Sequence, residues 1–255
     1  MGTNVKSPRK TVKRTVEALR HVRRDASAEN VHTLRTGLRR IEALTGRALP
    51  RQVKKVRKQA GEVRDLDVFR QMLDEMATQP GFAGAAECVR SRIESQRRKR
   101  VRRLTKAAKK FSAGKLRRWS KRHDHAPAKP GDLLQDLRNL GDDPAFTEVT
   151  AQNLHDLRLK IKPIRYRAET LEGEDARKVE QLCNDAQSAI GRWHDELLLL
   201  AFAEDVLKQP EHPMLEALRQ RCERDFEGCR TKVSELLQRA RQPRPPAIAI
   251  VRSVA

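Results

Sequence analysis

The chain has 255 residues, with Lys+Arg 55 against Asp+Glu 34, a formal net charge of +21 and a pI near 10.6. It is long enough for one large or two small cores, and a balance this basic selects polyanions as partners: nucleic acid, polyphosphate or an anionic membrane. Aromatics at 4%, with one tyrosine and two tryptophans, weigh against reading single-stranded bases by stacking, but phosphate contacts need only charge and donors.

In chain order, residues Lys6 to Arg24 are basic throughout and lack the apolar core of a signal peptide. Apolar periodicity predicts helices over 9–25, 29–48, 50–77 and 82–121, with Pro50 at a helix start and QPGFAG (79–84) as a break. The fourth of these helices is strongly basic. From Arg90 to Arg122 there are sixteen Lys/Arg and one acid, Glu94, so +15 of the net +21 falls in 33 residues. HDHAPAKPG (123–131) reads as a linker, followed by helices over 131–140, 144–172, 174–208 and 213–241, the last two separated by QPEHP. The longest apolar run, LLLLAFA at 197–203, is too short to span a bilayer, so no membrane insertion is expected. The proline-containing tail 242–255 has no periodicity and is expected to be poorly ordered. Cys88, Cys183, Cys222 and Cys229 form no CxxC or zinc-ligand spacing. Cys222 and Cys229, seven apart on one helical face, read as small buried apolar residues in a reducing, cytoplasmic setting. The expected class is all-α.

The chain also contains an internal repeat. VHTLRTGLRRIEAL (31–44) aligns with LHDLRLKIKPIRYR (154–167), matching His32 to His155, Arg35 to Arg158 and Arg39 to Lys162. A second pair follows in the same order, GEVRDLDV (61–68) with GRWHDELL (191–198). It matches Gly61 to Gly191, Arg64 to His194 and Asp65 to Asp195. Two ordered matches predict a duplication: a first helical half 1–122, a linker 123–131 and a second half 132–241, each of about four helices.

On a helical wheel of about 100° per residue, Val31, Leu34, Leu38 and Ile41 form a core stripe with His32, Arg35 and Arg39 on one flank. In the second copy Leu154, Leu157, Ile161 and Ile164 form the stripe, flanked by His155, Arg158, Lys162 and Arg165. In the next helix of the first half, Val53, Val56, Ala60 and Val63 point inward. Lys54, Arg57, Gly61 and Arg64 share the adjoining sector, where Gly61 would admit a ligand or a neighbouring helix. Solvated flanks ordinarily mix acids with bases, because opposite charges at i,i+4 support a helix. Here acids are sparse, with only Glu42 bordering the first sector. Arginine forks match phosphate oxygens, lysine adds a point charge, and a histidine near anions becomes cationic. Rows of such groups suit a linear polyanion.

The pattern H-x-L-R-x-x-[LI]-[RK], a later G-x-[VW]-[RH]-D and their repetition in a basic helical chain resemble the CHAD family (conserved histidine α-helical domain), over residues 10–240. The resemblance implies two pseudo-symmetric four-helix bundles around a basic central channel, binding of inorganic polyphosphate, and a location on polyphosphate granules. It implicates His32, Arg35, Arg39 and Arg40 from the first half, and His155, Arg158, Lys162, Arg165 and His194 from the second. Lys54, Arg57 and Arg64 come from the wheel alone. This chain departs from the pattern at Pro163, which stands opposite Arg40 and should kink its helix near Leu159. Asn184 and Gln187 stand where Lys54 and Arg57 do, so the first half is expected to grip harder.

No cofactor, metal site or catalysis is expected. The acids are dispersed; Asp65, Asp67 and Asp195 read as groups that orient arginine or histidine. His123-Asp124-His125 lacks further ligands, and no P-loop, HExxH or G-x-S-x-G occurs. The alternative reading is a nucleic-acid or ribosome-associated protein that uses the basic 90–122 segment. Oligomeric state is not legible.

Overall fold

The structure, a computed structural model, describes residues 8–45, 48–122, 130–169, 171 and 173–241. Every regular element among them is helical: α1 (Pro8–Arg24), α2 (Ala28–Thr45), α3 (Arg51–Met76), α4 (Ala83–Lys110), α5 (Ala113–Arg122), α6 (Pro130–Gly141), a 3-10 turn (Pro144–Phe146), α7 (Leu154–Ala168), α8 (Glu174–Leu207) and α9 (Pro213–Arg241). The all-α expectation holds. None of these helices is long and apolar enough to cross a membrane. The linker 123–129, with His123-Asp124-His125, and the tail 242–255 lie outside the described residues.

The apolar stripes read from the wheel are the core. Val31, Leu34, Leu38 and Ile41 of α2, Val53, Val56, Ala60 and Val63 of α3, and Leu154, Leu157, Ile161 and Ile164 of α7 are all buried. Cys183, Cys222 and Cys229 are buried as well, and Cys88 is exposed.

The long basic helix expected over 82–121 is in fact two helices. Phe111 adopts an extended backbone (φ −91, ψ 129) and buries its ring in the cluster formed by α1, α2 and the first half of α3. Arg23 of α1 supplies the reason for the break. Its Nε donates to the Ala108 carbonyl at 2.9 Å and its terminal nitrogen to that of Phe111, satisfying carbonyls that a continuing helix would have used. The helix expected over 144–172 starts only at Leu154, because Asn153 holds the preceding residues in a loop. Its amide donates to the carbonyls of Ala145 (2.9 Å) and Glu148 (2.8 Å), while its oxygen accepts from Thr150 N–H (3.0 Å). Pro163 stays within α7 without ending it. The carbonyl deprived of a donor belongs to Leu159, which is 50% exposed, so water can replace the missing partner.

The chain forms two compact units that do not divide at the linker alone. One combines Ser7–His125 with Trp193–Arg224; the other is built on Ala126–Arg192 and Asp225–Ala255. The tip of the α8–α9 hairpin thus packs with first-half residues, in contrast to the expected second half of 132–241. Leu199, Ala203, Met214, Leu215 and Leu218 share one apolar cluster with Leu66, Phe69, Leu73, Val89 and Ile93. Burying this hairpin tip among α3 and α4 removes from water apolar side chains worth about 1.5–3 kcal/mol each when fully buried.

Several arginines of the basic segment serve as structural ties. Arg97 donates to the buried carboxylate of Asp67 at 2.6 Å and to the Ala26 carbonyl at 3.0 Å. Arg100 reaches the Glu62 carbonyl at 3.0 Å, and Arg90 pairs with Asp74 and Glu87. Asp67 is 3% exposed against 24% for Arg97, so removing the carboxylate leaves a half-buried cation without its main partner. Asp67→Ala is expected to cost about 2 kcal/mol in denaturant unfolding, below the usual range for a fully buried pair because Arg97 retains some water. Asp74→Ala, at an exposed pair, should change stability by less than about 1 kcal/mol.

Candidate phosphate-binding flanks

In the first unit α2 and α3 face each other in antiparallel register along the sector predicted to be basic. Glu42 Oε2 lies 3.3 Å from Arg57, Arg35 lies beside Gly61, and Arg64 lies near enough to His32 to act on its protonation. A Cβ placed on Gly61 would meet Arg35 Nε at 3.8 Å. Arg35 thus lies across the seam at Gly61, at a distance that a Cβ there would still allow.

Within this group His32 is exposed and Arg35, Arg39 and Arg64 are half-buried, with Arg40 exposed. Partial burial of the His32 ring, then the charges of Arg64, Arg35 and Arg40, hold its pKa below the ordinary 6.5. Asp65 is shifted upward chiefly by burial and further by Asp195, against the opposing effects of Arg35, Arg100 and Arg39. The two motif aspartates are thus in electrostatic range of one another, and Asp65 has Arg35, Arg100 and Arg39 around it. Arg100 was not among the expected site residues. Nothing in the run 90–122 marks which of its cations turns toward Asp65.

The second unit repeats the central contact. A Cβ on Gly191 would meet the Arg158 guanidinium at 3.2 Å, so Arg158 rests on α8 as Arg35 rests on α3. His155 is exposed on the same flank of α7, and Lys162 is half-buried. The position matching Glu42 is Arg165, and the position matching Arg57 is Gln187; Arg165 Nε donates to Gln187 Oε1 at 3.0 Å. The polar contact is kept while its charges change. Arg165 then ion-pairs with Glu169, and its guanidinium lies 4.3 Å from the centre of the Tyr166 ring.

These placements separate the expected residues into two groups. His32, Arg35, Arg39, Arg40 and Arg64 are brought together in the first unit, with Asp65 and Asp195. Arg57 and Arg165 carry a carboxylate or amide partner and close the helix seam beside the flank. Lys54 is exposed one turn before Arg57, and His194 lies half-buried next to Asp195 in the first unit. Glu42 bordered the first sector in the sequence, but the partner of Arg165 lay hidden because Glu169 falls beyond the matched segment.

The two glycines differ in available space, and that difference is measurable. Alanine favours a helix over glycine by about 1 kcal/mol, so neither substitution should lower the melting temperature. Gly61→Ala, at ordinary contact distance, should bind tripolyphosphate within about twofold of the native chain, since little changes around Arg35. Gly191→Ala requires the Arg158 guanidinium to give by a few tenths of an ångström and should weaken binding by several fold, read by calorimetry.

The profile of the CHAD domain family matches residues 9–204. The fold is similar to the crystal structure of the CHAD domain from the plant Ricinus communis, with a TM-score of 0.65 and 16% identity over 94% of this chain and 91% of that one. It is also similar to PptA from Streptomyces chartreusis, with a TM-score of 0.54 and 19% identity over 91% of this chain and 96% of the other. At such identities these likenesses concern the fold. No curated protein matches the chain. With most of its length covered by the profile, the chain belongs to the CHAD domain family.

Proposed function

We propose that this protein binds inorganic polyphosphate without catalysis, along the basic flanks of α2–α3 and α7–α8. The observation that carries the reading is the recurrent arginine laid over a glycine, Arg35 on Gly61 and Arg158 on Gly191, each with an exposed histidine one turn away. A guanidinium supported this way is restricted before a ligand arrives, which lowers the ordering cost of gripping phosphate oxygens. His32, Arg39, Arg40 and Arg64 add donors and charge around Arg35, and His155 and Lys162 do so around Arg158. A chain of phosphates can engage several such groups at once, and a single phosphate cannot. A basic channel formed by these flanks, with location on polyphosphate granules, belongs to the same proposal.

Binding without hydrolysis is supported by how the carboxylates are engaged. Glu42, Asp67, Glu169 and Glu196 each hold an arginine. Burial pushes the Cys183 thiol up to about 12, and burial with Asp225 pushes Cys229 up to about 11, so neither supplies a thiolate nucleophile.

Direct titration tests the reading. Near physiological salt the chain should bind long-chain polyphosphate more tightly than RNA of equal charge, and Arg35→Ala/Arg158→Ala should lose at least tenfold in polyphosphate affinity. If polyphosphate binds no better than RNA, or the double variant binds polyphosphate as before, the reading fails.

Protonation supplies a second test. In the free protein the His32 pKa lies below its unfolded value, so between the two values the unfolded chain binds more protons and stability falls as pH is lowered through 6.5. A bound polyanion opposes the arginine field and raises that pKa, so binding takes up a proton. Affinity for polyphosphate should therefore rise as pH falls through 6.5, and His32→Gln should flatten this dependence in calorimetry at several pH values.

A further inference from the structure

We propose that the outer face of α4 is a docking surface for double-stranded DNA, separate from the polyphosphate flanks and recognising the duplex backbone regardless of sequence. Between residues 98 and 122 there are twelve exposed Lys/Arg and no acid. Arg90, Arg97 and Arg100 of the same segment are tied to α3 or to the chain around it, whereas no described acid pairs with the exposed set. The surface is thus charge left over after the structural ties are made.

Its shape selects the partner. At about 100° per residue, Arg98, Lys109, Arg102, Lys106, Lys110 and Arg103 spread over an arc of about 140° on α4, opposite Leu104 and Ala108 in the core. Such an arc is convex. A single linear chain of phosphates would run along one edge and leave the other charges facing one another. A duplex presents two phosphate rails on either side of a major groove about 12 Å wide, which admits a helix of this diameter. Cations on both edges of the arc then meet both rails.

Other anionic partners fit less well. Phe111 is buried and Trp119 packs against the core, so no aromatic platform is presented for unpaired bases. The apolar side of α4 is likewise within the core, so no apolar face remains to enter a membrane. Arg98, Arg102, Lys106 and Lys110 are successive i,i+4 neighbours of like charge, which oppose the helix until a polyanion covers them. Duplex binding should therefore raise the melting temperature of the protein.

The experiment uses the full chain and a labelled mixed-sequence DNA duplex, titrated by fluorescence anisotropy at several salt concentrations. Arg98→Gln/Arg102→Gln/Lys106→Gln/Lys109→Gln should weaken duplex binding at least tenfold and reduce the slope of log K against log salt by about three. Polyphosphate affinity should stay within twofold, and Arg98→Lys/Arg102→Lys should retain the duplex. Arg35→Ala/Arg158→Ala should bind duplex like the native chain, so this proposal stands or falls independently of the polyphosphate reading. Three results would overturn it: unchanged duplex binding by the glutamine variant, parallel loss of polyphosphate, or single strands bound as tightly as duplex. Melting curves separate any folding defect of the glutamine variant from a loss of contacts, since removing like charges should leave its midpoint unchanged or higher.

Discussion

The candidate site depends on two helices approaching closely enough, beside a glycine, for an arginine to lie across their seam. Arg35 over Gly61 and Arg158 over Gly191 meet this condition in the two compact units. The helix that supplies each arginine is held by its apolar stripe, and the helix beneath it supplies the glycine one position after a buried residue, Ala60 or Ile190. Core packing therefore sets the position of the cation. A guanidinium placed by packing keeps its orientation in the absence of ligand, which a solvated lysine on a flexible stem does not.

The net charge is divided between distinct physical uses. Some arginines close seams and cap helices: Arg23 on the carbonyls ending α4, Arg97 on Asp67, Arg165 on Glu169, Arg221 on Glu196. Others line the flanks beside the helix contacts, where partial burial and the charges of Arg64, Arg35 and Arg40 lower the His32 pKa. A third set covers the outer side of α4 and α5. The first set ties the fold together, and the two binding proposals concern the other two.

The sequence made the stripes and flanks legible because both are local. Val31, Leu34, Leu38 and Ile41 repeat at helical spacing, and His32, Arg35 and Arg39 follow at a constant offset. Gly61 and Gly191 were visible as matched positions, although the arginine of the neighbouring helix lying over each required the structure. What stayed hidden was non-local. The break at Phe111 is fixed by Arg23, 85 residues from Ala108 in sequence, and the α8–α9 tip joins the first unit through apolar contacts that no periodicity announces. The loop before α7 depended on Asn153 finding carbonyls at Ala145 and Glu148, which a helical pattern conceals.

Side-chain Nε–H resonances of arginine, followed by NMR during titration with polyphosphate, test the central claim most directly. The account predicts concerted shifts at Arg35, Arg39, Arg40, Arg64 and Arg158, with Arg97 and Arg165 unmoved because Asp67 and Glu169 hold them. Shifts confined to the arginines between 98 and 122, with Arg35 and Arg158 silent, would contradict it.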